Sequence, residues 1–290
     1  MTPILDFADS TDSLAAVAIS PDGSQLVLGS VSGVRALDAE SGAPRWSSPE
    51  SPQNLAYSPD GASVAVAGLQ SVVLDSSTGE RRWSPGGMCA GVAWSPDSAR
   101  VVFGSRGLAY NIHPTAHGFE AATGAPQWKT RRIRHDGGIP GVGFSCDGAR
   151  VAITDGEQVT FLNPSSGASI FENFPEPEML HAIAWDPTNP MRLAVAGYKE
   201  AFVWTIRYDG DWTTLRLPHP KHVLTLAWSP DGRRLLTGGD EGTCRLWDPE
   251  ERRVLQELPG RVAAWSADGR RILTGDDKGR ARVFDAAGLG

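Results

Sequence analysis

A turn phrase that first occurs as Ser20-Pro21-Asp22-Gly23 is found seven times along this chain of 290 residues. The copies begin at Ser20, Ser58, Ser95, Ser145, Asp186, Ser229 and Ser266. Their intervals are 38, 37, 50, 41, 43 and 37 residues. Such a regular return marks repeated structural units that bury their faces against one another. Because seven units fill the chain, we predict a single domain over residues 1–290.

Each unit reads as four short strands, and the sixth unit shows the plan most clearly. Residues 224–229 alternate large and small side chains, as a half-buried strand does. The turn Pro230-Asp231-Gly232 follows, and further strands are predicted at 234–238, 243–248 and 254–258. Radial repetition of such sheets builds a β-propeller. We therefore predict an all-β fold, a seven-bladed β-propeller of four-stranded antiparallel blades.

The two ends of the chain predict how the ring closes. The seventh unit stops after its third strand at residues 281–285, whereas residues 4–7 form a strand-like segment before the first unit. Pairing of the two would remove an exposed sheet edge. We expect the N-terminal segment to be the outer strand of the seventh blade.

The chain resembles WD40-repeat proteins over nearly its whole length. The sixth unit ends its third strand with Trp247-Asp248, and the other units carry divergent pairs at that place. The family's buried set of His, Ser/Thr, Asp and Trp is matched by His219, Thr237 and Trp247, with Glu241 at the Asp place. The resemblance implies a rigid ring that presents loops to a protein or peptide partner.

Two further features refine this resemblance. Residues 38–46 and 75–83 share an Asp-x-x-x-Gly-x-x-x-Trp spacing that is similar to quinoprotein-type propeller repeats, although no cofactor site accompanies it. The basic residues are 23 Arg and four Lys, which favours a divergent bacterial chain. The ten tryptophans lie at repeated strand positions, so we expect them to pack rather than to bind a ligand.

Composition limits the partners. No apolar stretch approaches the roughly 18–20 residues of a membrane helix, and the net charge of −7 disfavours nucleic acid. Three cysteines without paired spacing and no visible signal peptide favour the cytoplasm. No motif of a nucleophile, a phosphate loop or a zinc site is present, so we predict no cofactor and no metal, and leave catalysis open.

The long third interval contains an insertion at residues 106–118 within the second hairpin of the third unit. Long loops in compact domains are often functional, so Tyr110, His113 and His117 are candidate binding residues. The His-x-x-x-His pair could ligate a metal, but Pro114 disfavours a helix and no familiar acidic or cysteine ligand lies nearby. A recognition loop is the favoured interpretation.

Arg131, Arg132 and Arg134 form a basic run between the third and fourth units. Clustered guanidinium groups bind phosphate or carboxylate, which predicts an anion or phosphopeptide patch. A solvated loop, partly neutralised by glutamates of the next connection, is the alternative. Both interpretations stay open.

The mouth of the predicted channel carries a few polar residues among small ones. Gln53, Asn54, His181 and Arg261 lie at the start of the first strands of units two, five and seven, three or four residues before the residue that precedes the repeated phrase, and His222 lies in the loop before unit six. A shallow anion-accepting pocket could use Arg261 as charge partner and His181 as donor or general base. A water-filled channel is the alternative.

Two functions follow. The first is a protein-interaction scaffold whose upper-rim loops bind a protein or peptide, which the resemblance favours. The second is a small-molecule-binding protein or enzyme that uses His181, Arg261 and the blade-three loop.

Overall fold

The computed structural model describes residues 2–8, 12–106, 115–130, 138–175, 179–207 and 211–287. These residues form seven four-stranded antiparallel sheets, which confirms the predicted seven-bladed propeller. Blades one to three contain β2 (Leu14–Ile19), β3 (Gln25–Ser30), β4 (Gly33–Asp38), β5 (Pro44–Ser48), β6 (Pro52–Tyr57), β7 (Ser63–Gly68), β8 (Val72–Asp75), β9 (Arg81–Trp83), β10 (Cys89–Trp94), β11 (Arg100–Ser105), β12 (Ala116–Glu120) and β13 (Pro126–Lys129).

The remaining blades follow the same order, from the first strand to the fourth. Blades four to six contain β14 (Gly141–Phe144), β15 (Val151–Thr154), β16 (Gln158–Leu162), β17 (Ser169–Pro175), β18 (Ala182–Trp185), β19 (Arg192–Ala196), β20 (Glu200–Ile206), β21 (Trp212–Pro218), β22 (Val223–Trp228), β23 (Leu235–Gly239), β24 (Thr243–Asp248) and β25 (Arg253–Pro259). Blade seven contains β26 (Val262–Trp265), β27 (Arg271–Gly275), β28 (Arg280–Asp285) and β1 (Leu5–Ala8).

The first strands of consecutive blades contact one another in a closed circle, because β2 of blade one contacts both β6 of blade two and β26 of blade seven. These first strands surround a central channel, and apolar side chains fill the spaces between neighbouring sheets. Burial of these paired faces is the main source of stability in such an array.

The ring closes as predicted. β1 pairs antiparallel with β28, with Leu5 opposite Val283 and Ala8 opposite Arg280. The strand begins one residue later than the segment 4–7, although the amide of Ile4 still donates to the carbonyl of Val283 at 2.7 Å. The N-terminal segment therefore covers the edge that β28 would otherwise expose.

The repeated phrase closes the hairpin between the first and second strands. In six blades the serine hydroxyl donates to the aspartate two residues later and accepts the amide hydrogen of the residue five later; these serines are Ser20, Ser58, Ser95, Ser145, Ser229 and Ser266. At Asp231 the hydrogen bond from Ser229 helps to hold the carboxyl pKa below its usual value. The phrase is thus a structural turn.

Tryptophans of the fourth strands join each of the first three blades to the next. The indole Nε1 of Trp46, Trp83 and Trp128 donates to a main-chain carbonyl of the following blade, at 2.7, 2.9 and 2.8 Å. Each ring lies against a glycine of that blade: a Cβ placed on Gly79, Gly124 or Gly167 would lie 2.4–2.6 Å from a ring atom. The Asp-x-x-x-Gly-x-x-x-Trp spacing therefore encodes docking between blades.

Tryptophans of the first strands bond in the opposite direction. Trp94, Trp185 and Trp228 donate to the carbonyl oxygens of Ala56, Gly143 and Ala184 in the preceding blade, at 3.0–3.1 Å. These six indoles have a packing role, as expected.

Candidate functional site

The upper face of the propeller, here called the top face, consists of two kinds of loop. One kind joins the fourth strand of a blade to the first strand of the next, and the other joins the second and third strands. On this face the structure brings together three of the predicted residues, His181, His222 and Arg261, with three that were not predicted. We call the set the top cluster; it comprises Ser13, His181, Tyr198, His222, Asp240 and Arg261.

Arg261 links the loops of three blades within this cluster. Its Nη2 lies 3.1 Å from Oδ1 of Asp240, and its Nη1 donates to the hydroxyl of Ser13 at 3.1 Å. The second carboxylate oxygen of Asp240 lies 3.9 Å from Nδ1 of His222. Arg261, Asp240 and His222 are all partly exposed, so this polar chain reaches the surface.

Two histidines and a tyrosine form the other end of the cluster. The rings of His181 and His222 are stacked with centroids 5.6 Å apart, and Tyr198 meets His222 edge-on at 4.5 Å. Burial lowers the pKa of His181 and the nearby His222 lowers it further, while Asp240 opposes this. The lowered pKa favours the neutral imidazole, which offers one donor and one acceptor nitrogen.

The backbone holds these loops close together. A Cβ on Gly239 would lie 2.2 Å from the carbonyl oxygen of His222, and the amide of Asp240 donates to that oxygen at 3.1 Å. A Cβ on Gly238 would lie 2.6 Å from the carbonyl oxygen of Arg261. The glycine pair that ends β23 thus lets both neighbouring loops approach, which positions His222 and Arg261 on either side of Asp240.

The central channel lies next to this cluster, because its lining includes Ala182 and Val262, the residues that follow His181 and Arg261. It encloses about 510 Å³, and its lining includes Gln53 and Asn54 among mostly small and apolar residues. His181 and Arg261 are not part of that lining. The four polar residues predicted at the mouth therefore divide between the channel and the top cluster.

His117 lies on a strand rather than on the loop. Residues 116–118 pair with β11, so the predicted insertion 106–118 extends three residues too far at its end. Nε2 of His117 lies 2.6 Å from the hydroxyl of Thr115, and burial lowers the pKa of the ring. The other candidates of these two loops lie outside the described residues; they are Tyr110, His113, Arg131, Arg132 and Arg134.

A buried polar network lies beside the top cluster in blade six. His219, whose side chain is fully buried, lies 3.3 Å from Glu241, and Arg245 bonds to the same carboxylate. Trp247 donates to Thr237 at 3.0 Å. The four positions implied by the resemblance thus form two pairs, His219 with Glu241 and Trp247 with Thr237. Arg245 is an additional partner of Glu241 that the sequence motif did not indicate.

An apolar surface lies on the top face above blades one and two. Val31 and Leu69 occupy the second loops of these blades and are 71% and 59% exposed. Both loops pack on the connection that contains exposed Pro49: a Cβ on Gly33 would lie 3.6 Å from Cα of Pro49, and one on Gly68 would meet Ser51. We call Val31, Pro49 and Leu69 the apolar patch.

Within the described ranges, no three His, Cys, Asp or Glu side chains converge in a way that could hold a metal ion. Over the same ranges the fold has no helix with the length and apolar character needed to cross a membrane.

Comparison with known proteins connects this geometry to a family. A family model described as "WD domain, G-beta repeat" matches residues 212–248, from β21 through β24. "Protein transport protein SEC31" of Eremothecium gossypii and of Saccharomyces cerevisiae are each 28% identical over 109 residues, which is 36% of this chain and 8% of the relative. "WD repeat-containing protein VIP3" of Arabidopsis thaliana is 35% identical over 82 residues, 23% of this chain and 26% of the relative.

These findings support a WD40 β-propeller. The matched segment spans only 8% of SEC31, so the similarity does not extend to that whole protein. The relatives named above are eukaryotic, and they give no support to the bacterial origin that the arginine content favoured.

Proposed function

We propose that this propeller is a protein-interaction module and that its top face binds a protein partner. The relatives include a protein named for protein transport and another named for its WD repeats, which supports an interaction role in general. The free thiols Cys89, Cys146 and Cys244 are consistent with a reducing compartment, so we place this activity in the cytoplasm.

The observation that carries the proposal is the apolar patch. Contiguous exposed apolar surface, more than isolated exposed residues, marks an interaction site. Here the exposed side chains extend from the same packed connection, so a partner can cover Val31, Pro49 and Leu69 together. The opposite face is different, because its repeated turns use their serine and aspartate side chains to bond to one another.

The test is capture of partners by the purified protein from an extract of its own organism. We expect Val31→Asp combined with Leu69→Asp to lose the captured protein, because two carboxylates would be buried without partners in the interface. The matched control is Ile4→Asp with Ile170→Asp, which changes two exposed isoleucines, 54% and 51% exposed, away from the top face.

All variants must retain the thermal unfolding midpoint of the wild type for the comparison to count. Equal capture by both double variants, or loss in the Ile4 and Ile170 control alone, would show that the top face is not the binding surface.

A further inference from the structure

Lysine is rare in this chain, and its distribution is uneven. Three of the four lysines lie on top-face loops of blades five to seven: Lys199 between β19 and β20, Lys221 between β21 and β22, and Lys278 between β27 and β28. The whole chain carries a net charge of −7. Positive charge on this part of the top face is therefore a local feature.

Most carboxylates around these loops are already paired. Glu200 bonds to Arg216 at 2.8 Å, Asp276 to Arg282 at 3.0 Å and Asp240 to Arg261 at 3.1 Å, while Glu241 bonds to Arg245. Lys278 follows the exposed Asp277, which offsets its charge. Within the described residues, neither Lys199 nor Lys221 has a carboxylate partner; the glutamates at 176 and 178 lie outside those residues.

The two unpaired lysines belong to one continuous surface. The ammonium of Lys199 lies 5.1 Å from the centroid of the Tyr198 ring, and that ring meets His222 edge-on at 4.5 Å. Lys221 is exposed and directly precedes His222. We call Tyr198, Lys199, Lys221 and His222 the lysine surface.

Lys199 also has an unfavourable backbone conformation. In blades six and seven the residue directly before the third strand is a glycine, Gly242 or Gly279, with φ of +76° and +73°. Blade five has Lys199 at that place with φ +62°, in the left-handed region that a side chain disfavours. Strain of this kind is common at functional positions, which makes Lys199 a candidate for a functional role.

We propose that the lysine surface binds an acidic segment of the protein partner, rich in Glu or Asp. The inference rests on the proposed function and names the chemistry of the partner at blades five and six. The lysine ammonium groups attract the carboxylates, and the ring of Tyr198 holds Lys199 over the surface. Because the groups are exposed, the attraction weakens as salt screens it.

The probe is a fluorescein-labelled hexaglutamate peptide, measured by fluorescence anisotropy at low and at physiological salt, with hexaglutamine as the uncharged comparison. We expect hexaglutamate to bind more tightly than hexaglutamine, and salt to weaken it. Lys221→Gln and Lys199→Gly should each weaken binding by about twofold to fivefold, the range for a single exposed charge contact. Lys129→Gln removes the same charge from an exposed site on β13 and should leave binding unchanged.

Lys199→Gly gives the sharpest readout, because it relieves the left-handed backbone. We expect its thermal unfolding midpoint to rise while its affinity for hexaglutamate falls, so lost binding cannot come from a damaged fold.

The inference is overturned if hexaglutamate binds no better than hexaglutamine at low salt, or if Lys129→Gln weakens binding as much as Lys199→Gly. Binding to phosphatidylserine vesicles but not to hexaglutamate would overturn it too, by showing a membrane preference. Failure here is distinguishable from failure of the proposed function, since the apolar patch is tested with different variants and a different readout.

Discussion

The docking of Trp83 on Gly124 can be tested with a pair of alanine substitutions. Gly124 has φ +71°, and a Cβ on it would lie 2.6 Å from Cδ2 of Trp83. Gly42 occupies the same turn of blade one with φ +70°, but there the nearest atom, in Phe7, would be 3.8 Å away. The two glycines share the backbone requirement and differ in the contact, so Gly42→Ala is a matched control for Gly124→Ala.

The expected magnitudes follow from this difference. Alanine in the left-handed region costs about 1–2 kcal/mol, which applies to both variants. At Gly124 the ring must also move by roughly 1 Å to reach ordinary contact, and overpacking of this kind costs about 1–3 kcal/mol. Movement weakens the bond from Nε1 to Ala121, worth a further ~1 kcal/mol. Phe103 and Phe119 contact the Trp83 ring and restrict its escape. The free energy of unfolding should therefore fall by about 2–4 kcal/mol more in Gly124→Ala than in Gly42→Ala.

The assay is equilibrium unfolding in urea, followed by far-ultraviolet circular dichroism and by tryptophan fluorescence. Coincident transitions from the two probes are needed before free energies are assigned to a chain of this size. A double-mutant cycle adds a second check: in a Trp83→Ala background, Gly124→Ala should cost no more than Gly42→Ala does in the wild type. Equal losses for Gly42→Ala and Gly124→Ala in the wild type would refute the docking argument.

Three other predictions use the unfolding measurements, and one of them adds gel filtration. Trp128→Phe keeps an aromatic ring but shortens it and removes the bond to the carbonyl of Pro164, so the unfolding free energy should fall by at least the roughly 0.5–1.5 kcal/mol of that bond. Removal of residues 1–8 deletes β1 and exposes the edge of β28, so the unfolding midpoint should fall clearly and the protein should associate at concentrations where the full chain is monomeric in gel filtration. Asp22, Asp97 and Asp268 have pKa values held below normal first by hydrogen bonds from Ser20, Ser95 and Ser266. When a carboxyl pKa is lower in the folded state than in the unfolded state, the group stabilises the fold at pH values above its unfolded pKa, near 3.8. This stability is lost as the pH falls through the pKa of the folded state. Urea midpoints should therefore fall below about pH 4, and Ser95→Ala should reduce that dependence.

The fold could be predicted because its information is local and repeated. Each Ser-x-Asp turn satisfies its own side chains, and each unit supplies the same sequence of strands, so the period alone indicates seven blades. The partner of a docking tryptophan could not be read in this way. Trp46 and Gly79 belong to neighbouring units, and only the ring geometry brings them together.

The site was predictable only in part, for a related reason. His181, His222 and Arg261 stood out as polar residues at loop positions, but Tyr198 and Asp240 looked like ordinary turn residues. Their roles depend on glycines that let separate loops approach, such as Gly239 beside His222. The end of the blade-three insertion was misplaced because residues 116–118 contain His and Gly, yet their backbone pairs with β11.

The contacts of Arg261 determine which substitutions on the top face can test binding without also disturbing the fold. Sequence pattern made it a candidate partner for a bound anion, but its guanidinium already bonds to Asp240 of blade six and to Ser13, which precedes blade one. It therefore joins the blades on both sides of blade seven, whose outer strand carries Leu5 and Phe7 rather than a docking tryptophan. Replacement of Arg261 would weaken the closing region of the ring and the top cluster together, so lost binding in that variant would not identify a ligand contact. Lys199 and Lys221 lack such bonds within the described residues, and we expect Lys199→Gly to raise stability while it lowers binding. The lysine surface is for this reason the place where recognition can be separated from folding.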